Sequence, residues 1–277
     1  MPSLANILRP RAPVLALPAL ALFIGSATAN DRHFSYTYET GVLAPGAREL
    51  EVSNTLRAGR TDYYSALDHR LEFEVGLADN LMTSFYLNMG NTTRADGAGG
   101  LTSEFEWQGV SNEWKLKLLD PVASPVGMAL YAELSYNTNG FELEPKVLFD
   151  KRIGNLLLAA NLVTEFEYSF GVQETILEEV APEAVLGATY QLHKGVYAGV
   201  EVRNHNAFMN NAAKSELEYE YSSLYAGPVI SYTAESWWVT LTVLPQLPAL
   251  SKPDGGSILV LDDGEKLNAR LLFSFHI

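Results

Sequence analysis

The sequence contains no cysteine. This absence excludes disulfide bonds, thiol chemistry and the lipid-modified cysteine of a lipoprotein. It is compatible with export, because an oxidising compartment such as the periplasm permits disulfides but does not require them. The sequence also has no His-x-x-x-His spacing and no segment rich in Met and His. Zinc and copper sites usually need such ligands, so we predict neither a metal site nor a cofactor.

Long apolar runs and basic residues are also scarce. After the N-terminal region, no stretch reaches 18 uninterrupted apolar residues, so no transmembrane helix is predicted. The chain has 19 Lys and Arg against 33 Asp and Glu, which gives a net charge of −14. Because binding to nucleic acid depends on basic side chains that contact phosphates, this acidity argues against a nucleic-acid partner.

The first 29 residues have the features of a secretory signal peptide. Two arginines form the charged region, residues 14–24 form an apolar core, and Ala-Thr-Ala at residues 27–29 is a small-residue cleavage site. Cleavage there would remove two basic residues and no acidic one, leaving a net charge of −16. We therefore predict a signal peptide over residues 1–29.

The most informative pattern in the remaining chain is alternation with a period of two, which is the signature of β-strands. It is clearest in the last segment, residues 266–277. One face of that segment carries Ala269, Leu271, Phe273, Phe275 and Ile277, and the other carries Asn268, Arg270, Ser274 and His276. The chain stops on this strand, so its apolar face must meet another layer of protein or lipid.

Similar segments recur from Arg48 onwards, and we count twelve strands. The predicted turns alternate between short ones, at residues 78–80 and 193–195, and long ones, at residues 91–101 and 206–220. This pattern is typical of single-chain outer-membrane barrels. One strand changes phase between Phe105 and Trp114, which predicts a β-bulge near Gly109.

A secreted all-β chain can be a soluble β-sandwich or a transmembrane barrel. Two features favour the barrel. Its strand faces repeatedly carry Glu, Arg or Lys, which a sandwich does not need. Aromatic residues lie near the ends of the apolar stripes, as in interfacial girdles: Phe73, Trp107, Tyr136, Phe149, Tyr168, Tyr232 and Trp237. We predict an all-β, antiparallel up-and-down transmembrane β-barrel of about 12 strands, with short periplasmic turns and longer outer loops.

The barrel itself is predicted to occupy residues 47–277. Residues 30–46 precede it, and within them Phe34, Tyr36 and Tyr38 alternate with polar residues. A thirteenth strand would put the chain termini on opposite sides of the membrane. We therefore expect residues 30–46 to form an N-terminal lead or plug segment.

If the apolar faces point outwards, charged side chains line the lumen, because a charge on the lipid face is costly. The predicted lumen residues are ten acids and five bases: Glu49, Glu51, Arg57, Arg70, Glu72, Glu74, Glu133, Glu142, Glu144, Lys146, Glu165, Glu167, Glu201, Arg203 and Arg270. Rings of carboxylates attract cations, so one hypothesis is a passive channel for small solutes with an acidic lumen. A charge network that fills the barrel and conducts nothing is the alternative.

Two further functions remain open from the sequence. Acidic stretches at residues 173–183 and 206–220, predicted as outer loops, are candidates for surface interactions or for divalent cations that bridge to lipopolysaccharide. A lipid-modifying enzyme would need a catalytic set around His69 or His205, but no Ser stands at a suitable local spacing. We therefore predict no catalytic residues.

Several short segments are similar to an uncharacterised family of proteobacterial outer-membrane barrels, a domain of unknown function. They are residues 39–46 (ETGVLAPG), 72–77 (EFEVGL), 127–131 (GMALY), 226–228 (AGP) and 243–247 (VLPQL). The resemblance covers the chain from about residue 35 to the end. It implies an outer-membrane location, contact with lipid and lipopolysaccharide, and assembly through the C-terminal strand by the barrel-assembly machinery. It implies no catalytic residue.

Overall fold

The computed structural model describes residues 31–172, 174–211, 214, 216–251 and 257–277. The predicted signal peptide lies outside the described residues. The described part contains β-strands and no helix. Its twelve strands are β1 (Arg48–Ala58), β2 (Tyr64–Ala78), β3 (Leu81–Ala95), β4 (Leu101–Leu119), β5 (Gly127–Tyr136), β6 (Gly140–Ile153), β7 (Leu156–Phe170), β8 (Thr175–His193), β9 (Val196–Asn211), β10 (Glu216–Thr233), β11 (Trp237–Ser251) and β12 (Leu267–His276).

Each strand pairs antiparallel with the next, and β12 pairs with β1 to close the barrel. The closing ladder runs from Glu49 opposite His276 to Ala58 opposite Leu267. We call the end of the barrel where β1 begins and β12 stops the terminal end, and the opposite end the loop end. The predicted fold class is confirmed: this is a closed antiparallel barrel of twelve strands. No helix in the described part is long and apolar enough to cross a membrane.

Burial along the strands is the reverse of that in a soluble protein. In β1, Glu49 and Glu51 are 0% and 1% exposed, whereas outward-facing Phe73 and Leu77 on β2 are 37% and 47% exposed. The reason is the period-two alternation of side chains between the two faces of a sheet, which directs polar residues inwards and apolar residues outwards. The barrel therefore presents an apolar outer surface and a polar lumen.

Aromatic side chains contribute to this outer surface at both ends. At the terminal end, the Trp237 ring lies 5.3 Å from that of Tyr232 and 5.6 Å from that of Phe273. Trp107 and Tyr136, towards the loop end, are 53% and 54% exposed. This placement matches the girdle pattern predicted from the sequence.

The strands extend further towards the loop end than the hydropathy pattern predicts. There β4 begins at Leu101, β8 begins at Thr175, β9 ends at Asn211 and β10 begins at Glu216, whereas the sequence predicted loops over residues 91–101, 173–183 and 206–220. The two acidic stretches predicted as loops consequently lie mainly within β8, β9 and β10. β8 and β10 each have a register shift in this region, at Glu178 and at Glu220, and the resulting change of phase in the alternation hid the continuation of these strands.

The predicted β-bulge is present. Asn88 of β3 pairs with Gly109, while the next residue, Met89, pairs with Trp107, so Gln108 is the extra residue of β4. Gly109 has a φ of 104°, a conformation that side-chain-bearing residues rarely adopt. The bulge restores the inward facing of the polar residues that follow it.

Residues 31–47 are not part of the barrel wall. Residues 44–47 lie beside β2 at the terminal end, where the Gly46 amide donates to the Gly76 carbonyl (2.8 Å) and the Gly76 amide donates to the Ala47 carbonyl (3.0 Å). From there back to Asp31 the chain lies inside the lumen. We call residues 31–43 the inner segment.

Candidate functional site: the lumen

Apolar side chains of the inner segment pack against the few apolar residues that face the lumen. Phe34 packs with Leu157, Ala159 and Val229. Three other clusters contain residues of the segment in the same way: Tyr36 with Val163, Val185, Tyr225 and Leu244; Val42 and Leu43 with Met82; and Tyr38 with Ala129, Tyr131 and Leu148. Four of the five apolar clusters in the described residues thus involve the inner segment, which therefore occupies the centre of the barrel at its terminal end.

One lumen carboxylate holds the backbone of the inner segment. Glu201 of β9 is fully buried and accepts hydrogen bonds from three successive amides, those of Ser35 (3.1 Å), Tyr36 (3.0 Å) and Thr37 (2.7 Å). The hydroxyl of Thr242 also donates to it (2.5 Å). Successive amides that converge on one anion form a favourable electrostatic site. Glu201 was predicted as a lumen charge, and the structure gives it this anchoring position.

Two other barrel residues bind the same backbone. The Asn161 side chain accepts from the Tyr38 amide (2.6 Å) and donates to the Tyr38 carbonyl (2.9 Å). Asp150 accepts from the Thr40 hydroxyl (2.6 Å) and amide (3.3 Å). The inner segment has no strand partner of its own, so these side chains satisfy backbone groups that would otherwise be buried without a partner.

Four predicted lumen acids form a buried cluster at the terminal end: Glu49, Glu51, Glu72 and Glu74. Oxygens of the last three lie within 4.8 Å of one another. Arg32 of the inner segment lies 3.6 Å from Glu51, and the Trp238 indole donates to Glu49 (2.5 Å). The inner segment therefore brings a positive charge into the most acidic part of the lumen.

Within the inner segment, His33 binds Glu39. The Glu39 carboxylate accepts from the His33 amide (2.8 Å) and lies 3.0 Å from the His33 Nδ1 atom. Burial by itself would raise the pKa of Glu39, but the charge of His33 and these hydrogen bonds outweigh it and lower the pKa below the ordinary value of 4.5.

Towards the loop end, the inner segment forms the floor of a cavity of about 500 Å³. We call this cavity the vestibule. Tyr36 and Tyr38 contribute to its floor, and Asn137 and Asn139 of the β5–β6 connection contribute to its rim. Ten of the predicted lumen residues line it: Arg57, Arg70, Glu133, Glu142, Glu144, Lys146, Glu165, Glu167, Arg203 and Arg270. The predicted lumen charges thus divide into the acid cluster, the anchor Glu201 and the vestibule.

Several vestibule charges are paired. Arg70 binds Glu133, and Arg203 binds Glu183. Lys146 lies 2.9 Å from Glu144, and Arg57 lies 2.8 Å from Asp68. Part of the lumen is therefore a network of paired opposite charges. Such a network was the alternative to an acidic channel in the sequence analysis.

Other vestibule charges have no partner of opposite charge in contact within the described part of the chain. These are Glu142, Glu165 and Glu167 among the acids and Arg270 among the bases. Arg270 instead donates to the Thr55 hydroxyl (2.9 Å) and lies 4.2 Å from the Tyr36 ring centre. The vestibule consequently keeps uncompensated charge that can act on a solute.

Several charged and polar residues of the lumen were not predicted as such from the sequence. Glu113 and Lys115 are 2% exposed, and they follow the bulge on the polar face of β4, so the alternation already marked them. Glu183 was assigned to an acidic loop, although it lies in β8 and binds both Arg203 and His205. Asn161 shares the polar face of β7 with Glu165 and Glu167, so the alternation indicates its inward direction, but no local pattern reports its contact with Tyr38.

The two histidines considered for catalysis lie apart. His69 contacts the Asn54 side chain (2.6 Å), whereas His205 contacts Glu183 in the lumen (2.5 Å). In the described residues, no serine hydroxyl contacts either imidazole ring. Within the described residues, neither histidine therefore forms the serine–histidine pair that such an enzyme would need.

The sequence of residues 26–276 matches a protein family described as "Family of unknown function (DUF6662)". The match covers most of the chain. The chain belongs to this family. No curated protein matches the sequence.

Two solved outer-membrane barrels are similar in fold to this member of the DUF6662 family. One is described as the COG4313 outer membrane channel from Pseudomonas putida F1, with a TM-score of 0.65, 13% identity, and coverage of 86% of this chain and 98% of that chain. Another is the NanC porin, with a TM-score of 0.52, 13% identity, and coverage of 82% and 100%. At such low identity the likeness is one of fold, and the fold is that of outer-membrane β-barrels.

Proposed function

We propose that the protein is an outer-membrane channel for small solutes, in which the inner segment occludes the lumen at the terminal end. The observation that carries this proposal is the vestibule, a cavity of about 500 Å³ lined mainly by polar and charged side chains inside a closed barrel. A barrel with a purely structural role would be more stable if side chains filled this cavity. A hydrated, charged cavity is what a path for polar solutes requires.

The similarity to the Pseudomonas putida barrel supports this proposal, because that protein is described as a channel. Four connections of two or three residues, at 79–80, 154–155, 194–195 and 234–236, lie at the terminal end, as do both ends of the barrel sequence. That end is the periplasmic end in barrels of this kind. Solutes would then enter the vestibule from outside the cell and meet the inner segment as the barrier.

The acid excess among the vestibule charges would favour cations. Among the residues that the structure describes, Glu142, Glu165 and Glu167 have no cationic partner in contact, and carboxylates in a pore attract positive ions. Glu72 and Glu74 are 4% and 3% exposed, behind the inner segment. We therefore assign ion selection to the vestibule acids and give Glu72 and Glu74 a smaller part in it.

A non-conducting barrel is the second candidate, and the inner segment is the observation that favours it. Its backbone is bound by Glu201, Asn161 and Asp150, so opening requires several buried hydrogen bonds to break together. Such a barrel would act through its surface or as a scaffold. The two candidate functions differ in whether the inner segment can leave the lumen.

Conductance distinguishes them. Purified protein in a planar bilayer under opposing salt gradients should show rare or small cation-selective steps. Glu201→Leu removes the acceptor of three backbone amides and should increase their frequency or size. Arg94→Gln alters only an exposed ion pair with Glu104 and should behave as wild type. Silence in all three proteins, with folding shown by heat-dependent gel mobility, would contradict the channel function.

We infer that residues 1–29 direct export and that the C-terminal strand directs assembly into the outer membrane. The support is the signal-peptide pattern and the position of β12 as the strand that closes the barrel. Cell fractionation tests both parts. Deleting residues 1–29 should leave the protein in the cytoplasm, and deleting β12 should leave it exported and unfolded.

A further inference from the structure

The charges of the vestibule are distributed unequally around the barrel. On β12, β1 and β2 the cavity-lining charges are three arginines (Arg57, Arg70 and Arg270) and one aspartate, Asp68. On β5, β6 and β7 they are five glutamates and one lysine: Glu133, Glu142, Glu144, Glu165, Glu167 and Lys146. The first group has a formal net charge of +2 and the second of −4.

These two groups face each other. The twelve strands form one ring, so β6 lies half the ring away from β12, and β7 lies half the ring away from β1. Twelve strands about 4.8 Å apart and tilted by about 40° close into a ring roughly 24 Å across. Long side chains extend inwards from both walls, which leaves a gap that a small molecule with two opposite charges can bridge.

The charges that have no opposite charge in contact follow the same division between the two walls. Arg270 on β12 has no carboxylate in contact, and Glu142 on β6 and Glu165 on β7 have no cation in contact, within the described residues. The Arg270 guanidinium is held by Thr55 (2.9 Å) and by the Ser35 carbonyl (3.3 Å), so its position is set before a ligand arrives. A fixed guanidinium is a good receptor for a carboxylate, and a pair of glutamates is a good receptor for an ammonium group.

We propose that the vestibule binds small zwitterionic solutes, with their carboxylate towards Arg270 and their ammonium group towards Glu142 and Glu165. This proposal specifies the class of solute for the proposed channel, and it rests on the channel function because the solute must be able to reach the cavity. A simple cation is attracted by the glutamate wall alone, and a simple anion is attracted by the arginine wall alone. A molecule with both charges aligns with the field and is attracted at both ends.

Three molecules of matched length test the proposal: 4-aminobutanoate, butanoate and butylammonium. Their binding to the full-length folded protein in detergent can be measured by ligand-detected NMR at low salt. We expect 4-aminobutanoate to bind at least about fivefold more tightly than either singly charged analogue, and we expect added salt to reduce the difference. Equal binding of the three, or no binding of 4-aminobutanoate, would overturn the proposal.

Variants locate the site. The double variant Glu142→Gln, Glu165→Gln should weaken 4-aminobutanoate binding about tenfold and leave butanoate binding unchanged or stronger. Arg270→Gln should weaken 4-aminobutanoate and butanoate alike, and Arg94→Gln should change nothing. Because Arg270 also contacts the inner segment, the glutamate variant is the decisive one. If it binds 4-aminobutanoate as wild type does, the proposed site is wrong.

Liposome swelling separates this inference from the proposed function. Selective binding of 4-aminobutanoate without its uptake into protein-containing liposomes would contradict the channel function and leave the binding site intact. Uptake of all three probes at equal rates, without selective binding, would support the channel and contradict the zwitterion site.

Discussion

Gly187 of β8 lies directly against the ring of Phe34. A Cβ added at Gly187 would stand 2.5 Å from the Phe34 Cε1 atom, well inside van der Waals contact. The absence of a side chain at this point of the barrel wall is therefore what lets the inner segment dock.

Gly187→Ala should loosen the inner segment without opening the barrel wall. Overpacking of this kind costs about 1–3 kcal/mol, and here the segment can move away from the clash. Hydrogen exchange at the amides of Ser35, Tyr36 and Thr37 should accelerate, and β8 amides should be unaffected. Ala188→Val, an enlargement on the outer face of the same strand, is the matched control. Unchanged exchange in Gly187→Ala would contradict the observed packing.

Asn161→Leu should weaken docking at a second position. It leaves the amide and the carbonyl of Tyr38 without their partners, and each unsatisfied buried group costs about 1–3 kcal/mol. Exchange at the Tyr38 amide should rise more than exchange at Tyr36, which Glu201 still holds. Asn112→Leu removes a side chain that binds β3 and serves as the control.

Acid should loosen the inner segment through Glu39. Because its pKa is lowered in the folded protein, Glu39 stabilises the docked segment above its ordinary value of 4.5, and this contribution is lost as the pH falls through the lowered value. Exchange of the inner segment, corrected for intrinsic rates, should rise as the pH falls below 4.5. Glu39→Gln should show a smaller change over the same range, and an identical profile would exclude Glu39 as the cause.

Gly109→Ala should impair the barrel itself. The substitution would force a residue with a side chain to adopt a φ of 104°, and its Cβ would stand 2.0 Å from the carbonyl oxygen of Tyr136. Strained backbone at one residue costs about 1–3 kcal/mol before the clash is counted. The urea midpoint of unfolding should fall, whereas Val110→Ala, on the outer face of the same strand, should lower it less.

Much of the fold could be predicted from the sequence because side-chain alternation is a local property. The alternation of Glu72 and Glu74 with Phe73 is enough to place the first two inside the barrel, and the phase change after Trp107 is enough to locate the bulge at Gly109. The strand extensions in β8 and β10 were missed, because register shifts at Glu178 and Glu220 change the phase of the alternation within them.

The site was predicted only in part. The residue types and their inward direction follow from the strand pattern, and ten of the predicted charges line one cavity. Which charges are paired does not follow from it, since Arg70 and Glu133 are separated by 63 positions in the chain and Ser35 and Glu201 by 166. Such contacts depend on how the strands are arranged around the ring.

By itself, the sequence determined that this chain forms a β-barrel with a polar interior and an apolar outer surface, because the two faces of each strand are encoded residue by residue. Only the tertiary structure decided where the inner segment lies and that Arg270 faces Glu142 and Glu165. The physical reason is closure: pairing β1 with β12 turns a linear order of strands into a ring, and opposite walls exist only once the ring is closed.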